Sequence, residues 1–340
     1  GGAAPVSAQV YNDVPFATVG GRAMLLDLNV PANPAGRPYP LVVFVHGGAW
    51  TSGTHNNVAP YIAALPAQGI AYASVQYRLT SEAGQWGAEP VIFPAQIHDV
   101  KGAVRFLRAN ATTYGIDPAR FAAWGPSAGG HLVALLGTSG GVAELEGTIG
   151  GNLHVASNVQ AVVDYYGPTD ILNMQLDVTT PPGSTQNHDS NTSGESKLIG
   201  FDDPGQGIGV LRANKDNPAS PYPELIALTV ALNPITHVDA ADPPFFIVHG
   251  ESDTTVPTHQ SQRLADALIT VFSSGIVETQ YMLQQQRVAF PMRQVQIAAQ
   301  TMGHRMDRAQ AGVGKGQTGL QTGQHDVLAG RQIHRVDNRL

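Results

Sequence analysis

A single hydroxyl stands among small residues in the stretch "FAAWGPSAGGHLVALL", residues 121–136. Its first part fits the pattern G-x-S-x-G, with Ser127 as the central serine. In this pattern a sharp turn between a strand and a helix projects the hydroxyl above a sheet edge, where it can act as a nucleophile. The amide of Ala128 would then lie at the positive end of the helix, where a developing oxyanion is stabilised. These residues predict acyl transfer; the alternative is a glycine-rich connection that only permits close packing.

A second glycine pair follows the apolar run "LVVFV", in the segment "HGGAW" of residues 46–50. Two adjacent glycines let the backbone approach a ligand closely and turn N–H groups toward it. After the third predicted strand, such a loop supplies oxyanion donors, here the amides of Gly47 and Gly48. An ordinary glycine turn is the alternative. We expect His46 to orient this loop rather than to act as a base.

The candidate acid lies in "FFIVHGESDTTVP", residues 245–257, where an apolar strand ends in an acidic loop. Asp253 would lie at the carboxyl end of that strand, where open α/β sheets assemble their sites. Glu251 in the same loop is the rival, and Val256 and Pro257 resemble the start of the next helix. A role for Asp253 as a helix cap alone remains the alternative.

The candidate base must follow the acid, because serine hydrolases of this type have the chain order serine, acid, histidine. His304 is favoured, since it lies in "TMGH" directly after the strand-like residues 295–299. His325 and His334 lie in the poorly patterned tail and stay open as alternatives. His259 would lie at the start of a helix and is expected at the surface.

The elements that must position these groups alternate between strands and helices, which indicates a mostly parallel sheet with crossover helices. Strands are predicted at residues 9–14, 23–30, 41–45, 70–75, 120–124, 159–165 and 245–249, and helices at 95–110, 128–136 and 258–272. We expect one domain over residues 1–340. Residues 171–243 interrupt this alternation and predict an inserted loop or lid, and residues 177–196 within them are predicted to be a surface loop or part of that lid. Beyond residue 276 only 295–299 resembles a strand, and the tail from 309 resembles irregular structure with a final helix near Val327.

The composition argues against several classes of partner. A net charge of −7 disfavours nucleic acid and anionic membrane surfaces, and no apolar run of eighteen residues occurs. Because the chain has no cysteine, it has no disulfide and no cysteine-based zinc site. Low charge content and the absence of cysteine favour a secreted or periplasmic protein over a cytoplasmic one. The first residues lack the features of a signal peptide, so we expect a leader that was removed or none.

Taken together, the segments resemble an α/β-hydrolase. They are most similar to the group of bacterial esterases that includes the feruloyl and acetyl-xylan esterase type and relatives of kynurenine formamidase. The resemblance extends from about Leu25 to Val256 and includes "LVVFVHGGAW", "FAAWGPSAGGHL" and "HGESDTTVP". It implies an α/β-hydrolase fold, with a mostly parallel central sheet flanked by helices. It also implies Ser127 as nucleophile, Asp253 as acid and His304 as base, with oxyanion donors from Gly47, Gly48 and Ala128. His304 follows Asp253 by 51 residues, which is longer than the family pattern.

The chemistry expected is hydrolysis of small or short-chain acyl esters, including acetyl or feruloyl esters of plant carbohydrates, without metal or organic cofactor. An amide hydrolase of the formamidase type and an inactive binding protein are the alternatives. Trp50, Tyr77 and Trp86 could line an acyl or sugar pocket, or belong to the core.

Two other sequence patterns are weaker evidence of function. Residues 314–319 fit G-x-G-x-x-G, but no strand precedes them and no helix follows. Asp177, Asp189 and Asn191 have calcium-ligand types, although a solvated loop is favoured there.

Overall fold

A computed structural model describes residues 9–32, 38–178, 186–272 and 277–282. Within these ranges the strands form one eight-stranded sheet with the order β1-β2-β4-β3-β5-β6-β7-β8. In chain order the strands are β1 Gln9–Val19, β2 Arg22–Val30, β3 Tyr39–Val45, β4 Ala71–Val75, β5 Ile116–Pro126, β6 Ala161–Tyr165, β7 Phe245–Gly250 and β8 Val277–Met282.

The strand directions confirm the expected mostly parallel sheet. β1 pairs with β2 and β2 with β4 in antiparallel fashion, and every other neighbouring pair is parallel. The chain moves from β3 outward to β4, then returns to place β5 on the other side of β3. This reversal opens a crevice at the carboxyl ends of β3 and β5, the usual ligand position in such sheets.

The central strand β3 is buried on both faces, as its continuous apolar run predicts. Leu41, Val43 and Val45 pack into the core cluster on one face of the sheet. Val42 and Phe44 pack into a second cluster on the other face. The alternation places two hydrophobic layers around the strand that carries the "HGGAW" segment at its end.

The helices cover the two faces of the sheet. Within the described residues they are α1 Pro60–Ala63, α2 Ala95–Ala109, α3 Ala111–Tyr114, α4 Ala128–Thr138, α5 Ala143–Glu146, α6 Gly194–Leu198, α7 Ile208–Ala213, α8 Tyr222–Leu232 and α9 Thr258–Phe272. Every residue of α4 is buried, because this helix lies against the sheet at β5 and β6 and is covered by α2. In the described part of the chain, no helix has the length and apolar character needed to cross a membrane.

One sequence prediction about this architecture is wrong. The strand β8 at Val277–Met282 pairs in parallel with β7, although no strand was predicted there. The segment predicted as a surface loop or part of a lid is not wholly at the surface, because it contains buried polar residues, namely His188, Glu195 and Ser196. These side chains are buried because they find polar partners within the fold. The predicted strand at 295–299 and the helix near Val327 lie outside the described residues, and the lid role of 171–243 stays a prediction.

Candidate active site

Ser127 occupies a strained turn between β5 and α4. Its φ of 54° and ψ of −123° lie in a region that side chains other than glycine rarely adopt. The amide of Ser127 donates to the carbonyl of Tyr165 at 2.8 Å, and the carbonyl of Ser127 accepts the amide of His131 at 3.0 Å. The neighbouring strand and the first helical turn therefore hold the serine backbone in this conformation.

Glycines on each side of the serine let three backbones meet without side chains between them. A Cβ on Gly129 would lie 2.0 Å from the carbonyl oxygen of Val45, and one on Gly125 would lie 2.8 Å from the same oxygen. Both separations are far below van der Waals contact. The spacing of the glycines is thus required for α4 to pack against the ends of β3 and β5.

The "HGGAW" loop lies directly beside the serine. A Cβ on Gly47 would lie 3.4 Å from Ser127 Cβ, and Gly48 has a φ of 116° that favours glycine. The carbonyl of Gly48 accepts the amides of Thr51 and Ser52, each at 3.0 Å, which closes the loop. Among the described residues, the amides of Gly47, Gly48 and Ala128 donate to no backbone acceptor. These three N–H groups have the character needed to stabilise an oxyanion.

His46 has the loop-fixing position expected from the sequence. Its ring is buried, stacks on Tyr77 with centroids 4.4 Å apart, and places Nδ1 2.6 Å from the carbonyl oxygen of Gly47. The Tyr77 hydroxyl donates to the carbonyl of His46 at 3.1 Å. Burial lowers the pKa of His46 below its ordinary value. The contacts of the His46 ring therefore hold the backbone of the glycine pair in place.

His131 joins the loop to the helix after the serine. Trp50 Nε1 donates to His131 Nδ1 at 3.1 Å, and His131 Nε2 donates to the carbonyl of Leu232 at 2.8 Å. This pair of bonds fixes a neutral tautomer, because Nδ1 accepts while Nε2 donates. Burial lowers the pKa of His131 to about 4. His131 is therefore a buried residue that connects three segments by hydrogen bonds.

Asp253 follows β7 in a loop that orients its carboxylate. Asp253 Oδ1 accepts the amides of Thr255 at 2.8 Å and Val256 at 2.9 Å. Asp253 Oδ2 lies 3.5 Å from Nε2 of the buried His249. Burial alone would raise the pKa of Asp253, but His249 and the two amides outweigh it and hold the pKa below its ordinary value. The carboxylate is thus ionised, whereas the rival Glu251 is exposed.

The strand order places the serine and the carboxylate on either side of β6. Since neighbouring strands lie about 4.8 Å apart, the ends of β5 and β7 are separated by about 10 Å, which leaves room for one imidazole ring. His304, His325 and His334 lie outside the described residues, so the identity of the base stays a prediction. His259 is exposed near the start of α9.

The end of the intervening strand β6 carries two further polar side chains, the partly buried Tyr166 and the buried Asp164. Tyr166 follows β6, its amide donates to the carbonyl of Val248 at 2.8 Å, and its pKa is raised by burial and, to a smaller extent, by the Asp253 charge. Asp164 is fully buried, accepts the amide of Gly167 at 2.9 Å, and has its pKa raised by burial to about 6. Sequence reasoning identified neither residue as part of the site.

The three aromatic candidates for substrate contact belong to the core. Trp50 and Tyr77 are each 1% exposed and Trp86 is 5% exposed. The Trp86 indole donates to Glu82 at 2.7 Å and packs under the guanidinium of Arg22. Their burial corresponds to the core role that the sequence left open. Contact of any of them with a substrate stays a prediction.

One group in the described residues has donor types that metals bind, namely Asp13, Asp27 and His55. His55 Nε2 lies 2.9 Å from Asp13 Oδ1, and Asp27 Oδ1 accepts the amide of Asp13 at 2.7 Å. Asp13 and Asp27 belong to the neighbouring strands β1 and β2, and the side-chain amide of Asn56 donates to both carboxylates. We assign no metal to this group.

The carboxylates that the sequence offered as calcium ligands have other partners in the structure. Asp177 accepts from Arg263 at 2.9 and 2.7 Å and from Gln260 at 2.8 Å, and Asp189 pairs with Arg212. Asp177 is buried, so the expectation of a solvated loop is also wrong at this residue. These carboxylates neutralise arginines within the fold.

Several known proteins are similar to this chain in sequence or in fold. The sequence profile of the BD-FAE family matches residues 26–268. Esterase LipQ of Mycobacterium tuberculosis is 31% identical over 260 residues, which are 76% of this chain and 52% of LipQ. The chain spans about half the length of LipQ and of two other curated esterase relatives that it matches.

Solved structures support the fold assignment. A truncated carbohydrate esterase from gut microbiota has a TM-score of 0.70 at 26% identity, covering 90% of this chain and 99% of that one. A bifunctional GH43-CE protein of Bacteroides eggerthii has a TM-score of 0.67 at 30% identity, covering 87% of this chain and 35% of that one. The α/β-hydrolase fold expected from the sequence is thereby confirmed.

Proposed function

The chain belongs to the BD-FAE family, and from this premise we propose that it is a serine carboxylesterase acting on small or short-chain acyl esters. The observation that carries the proposal is the strained Ser127 beside the glycine loop, with three backbone amides that have no backbone acceptor in the described residues. A hydroxyl held next to unpaired N–H groups is the arrangement that acyl transfer requires.

In this proposal Ser127 Oγ attacks the ester carbonyl while His304 Nε2 takes the hydroxyl proton. Asp253 orients that imidazole and stabilises its protonated form. The amides of Gly47, Gly48 and Ala128 bind the oxyanion, the alcohol leaves with the proton, and water then releases the acid from Ser127. A missing oxyanion donor would cost about 3–4 kcal/mol of transition-state stabilisation.

For the substrate class, we propose acetyl or feruloyl esters of plant carbohydrates. This finer assignment is supported by the two structural neighbours described as carbohydrate esterase and as GH43-CE. It also accords with the acidic net charge, which does not favour a phosphorylated or nucleic-acid substrate.

The test uses p-nitrophenyl acetate, acetylated and feruloylated sugars and N-formylkynurenine with the purified full chain. We expect turnover of the esters, labelling of Ser127 by a fluorophosphonate, and loss of both in Ser127→Ala. His304→Ala should abolish turnover, whereas His325→Ala and His334→Ala should retain it. Preference for the formyl amide would overturn the ester assignment, and absence of both turnover and labelling would favour a binding protein.

A further inference from the structure

His188 is buried in a polar part of the insertion and has a partner at each ring nitrogen. Its Nδ1 lies 2.9 Å from Glu195 Oε1, and its Nε2 lies 3.0 Å from the carbonyl oxygen of Thr255. The backbone amide of His188 donates to Gln175 Oε1 at 2.7 Å. Because both ends of the ring and its backbone are engaged, the side chain has one orientation.

The partner of Nε2 belongs to the loop that carries the proposed acid. Thr255 donates its amide to Asp253 Oδ1 at 2.8 Å and offers its carbonyl to His188 at 3.0 Å. Val256 donates to the same carboxylate oxygen, and its carbonyl accepts from His249 at 2.9 Å. The two residues that bind Asp253 are therefore held in turn by two buried histidines.

The partner of Nδ1 belongs to a helix that contacts the other side of the site. Glu195 is the second residue of α6, and a Cβ on the preceding Gly194 would lie 2.8 Å from the carbonyl oxygen of Ala49. Ala49 directly follows the glycine pair of the "HGGAW" loop. Ser193 caps α6 by accepting the amide of Ser196 at 3.1 Å. A short chain of contacts thus runs from the glycine loop through α6 and His188 to Thr255.

From this geometry we propose that His188 and Glu195 are positioning residues that fix the Asp253 loop relative to the oxyanion loop. The proposal rests on the esterase function proposed above. His188 acts through Thr255, because a displaced Thr255 amide leaves Asp253 Oδ1 without one of its two backbone donors. A misoriented carboxylate misplaces the catalytic imidazole, and an error of about 1 Å can reduce the rate about 100-fold.

Two substitutions of similar size separate the two bonds of the ring. In His188→Gln the side-chain NH₂ can occupy the place of Nε2 and donate to Thr255, whereas in His188→Asn it can reach only toward Glu195. Both remove the imidazole, so the loss of the ring is common to them. If the link to Thr255 positions the acid, Gln should rescue catalysis and Asn should not.

The experiment compares full-length wild type, His188→Gln, His188→Asn and His188→Ala by p-nitrophenyl acetate kinetics and by hydrogen exchange of residues 251–257. We expect kcat to fall about 10- to 100-fold in the Asn and Ala variants with a smaller change in KM, and to fall less than about fivefold in the Gln variant. Exchange at the Thr255 and Val256 amides should accelerate in the Asn and Ala variants. Arg212→Gln, which breaks the neighbouring ion pair with Asp189, is the control and should alter neither readout.

Equal kcat losses for Gln and Asn, or unchanged exchange in the acid loop, would overturn the positioning role. If the His188 variants fail to fold, the nearly isosteric Glu195→Gln should show the same effects at smaller size. Unchanged exchange of residues 251–257 in Glu195→Gln would also overturn the positioning role. If wild type shows no turnover, the proposed esterase function fails, while the exchange comparison still decides whether His188 holds the loop.

Discussion

His249 Nε2 lies 3.5 Å from Asp253 Oδ2 and 2.9 Å from the carbonyl oxygen of Val256. The histidine is fully buried within β7, and its Nδ1 accepts from the hydroxyl of Ser261 at 2.7 Å. The strand that precedes the acid therefore supplies an N–H that faces both the carboxylate and the backbone of its loop. This relationship explains part of the lowered pKa of Asp253.

Removing this histidine should weaken activity most at low pH. In His249→Ala the pKa of Asp253 rises, because burial then opposes ionisation without the His249 contact. A larger fraction of the carboxyl is protonated as the pH falls, so kcat/KM at pH 5 should fall more than kcat/KM at pH 8. The measurement is the pH profile of kcat/KM. Ser261→Ala, which loses only the bond at Nδ1, should move the acidic limb less; an equal shift would contradict this role for Nε2.

Adding one methyl group beside the nucleophile should damage both fold and activity. In Gly129→Ala the new Cβ would lie 2.0 Å from the carbonyl oxygen of Val45, so α4 must move away from β3. We expect the free energy of unfolding to fall by about 3 kcal/mol and esterase turnover to be lost. Gly140→Ala is the matched control, because its Cβ would enter open space. Urea unfolding and p-nitrophenyl acetate turnover check both variants, and equal stability of the two would contradict the packing argument.

Acid should destabilise the protein through His131. Its folded-state pKa is about 4, against an ordinary value of 6.5 for the unfolded chain. As the pH falls from 6.5 to 4, the unfolded chain binds a proton that the folded protein does not, so about 3 kcal/mol of stability is lost. Urea unfolding at pH 7.5 and pH 4.5 measures this loss. His131→Gln should show a smaller decrease, whereas the exposed His259→Gln should retain the wild-type decrease.

The role of Trp50 can be decided by deleting one donor. Trp50→Phe leaves His131 Nδ1 without its hydrogen bond, and we expect the free energy of unfolding to fall by about 1–3 kcal/mol. Because the indole is almost fully buried, KM for short acyl esters should change by less than about twofold. Calorimetry and steady-state kinetics provide the two readouts. A several-fold change in KM at unchanged stability would instead place the ring against the substrate.

The sequence predicted the parts of the fold whose patterns are local. Helix α9 has the expected bounds, Thr258–Phe272, and the "LVVFV" run is indeed the buried core of β3. Both have strong patterns, an amphipathic helical period and a continuous apolar run. The strand at 116–126 is longer than the predicted 120–124, because Ile116 pairs with Tyr39 of β3 before a register shift, and Gly125 and Pro126 pair with β6 at the other end.

The features that the sequence did not predict have a different physical origin. β8 has neither a continuous apolar run nor a strict alternation in "VETQYM", and it begins a glutamine-rich stretch whose composition suggested irregular structure. His188 and Glu195 looked like loop residues because a polar composition predicts solvent exposure. Their burial depends on partners seven and 67 residues away, and such pairings are invisible to a local pattern. Within the candidate site, the positions of Ser127, Gly47, Gly48 and Asp253 relative to the strands were predictable, whereas the contacts that His249, Tyr166 and His188 make were not.

The meeting of Gly125, Gly129 and the Val45 carbonyl has a consequence for how this protein can diverge. The distance between the nucleophile and the glycine loop is determined by main-chain atoms, so it does not depend on which rotamers the surrounding side chains adopt. Acceptance of a new acyl or alcohol group must then arise from changes elsewhere, above all in the insertion between β6 and β7. Libraries that vary residues 202–230, and so leave His188 and Glu195 unchanged, should therefore yield altered selectivity with the reaction centre undisturbed, whereas libraries that vary residues 125–130 should yield mostly unfolded chains.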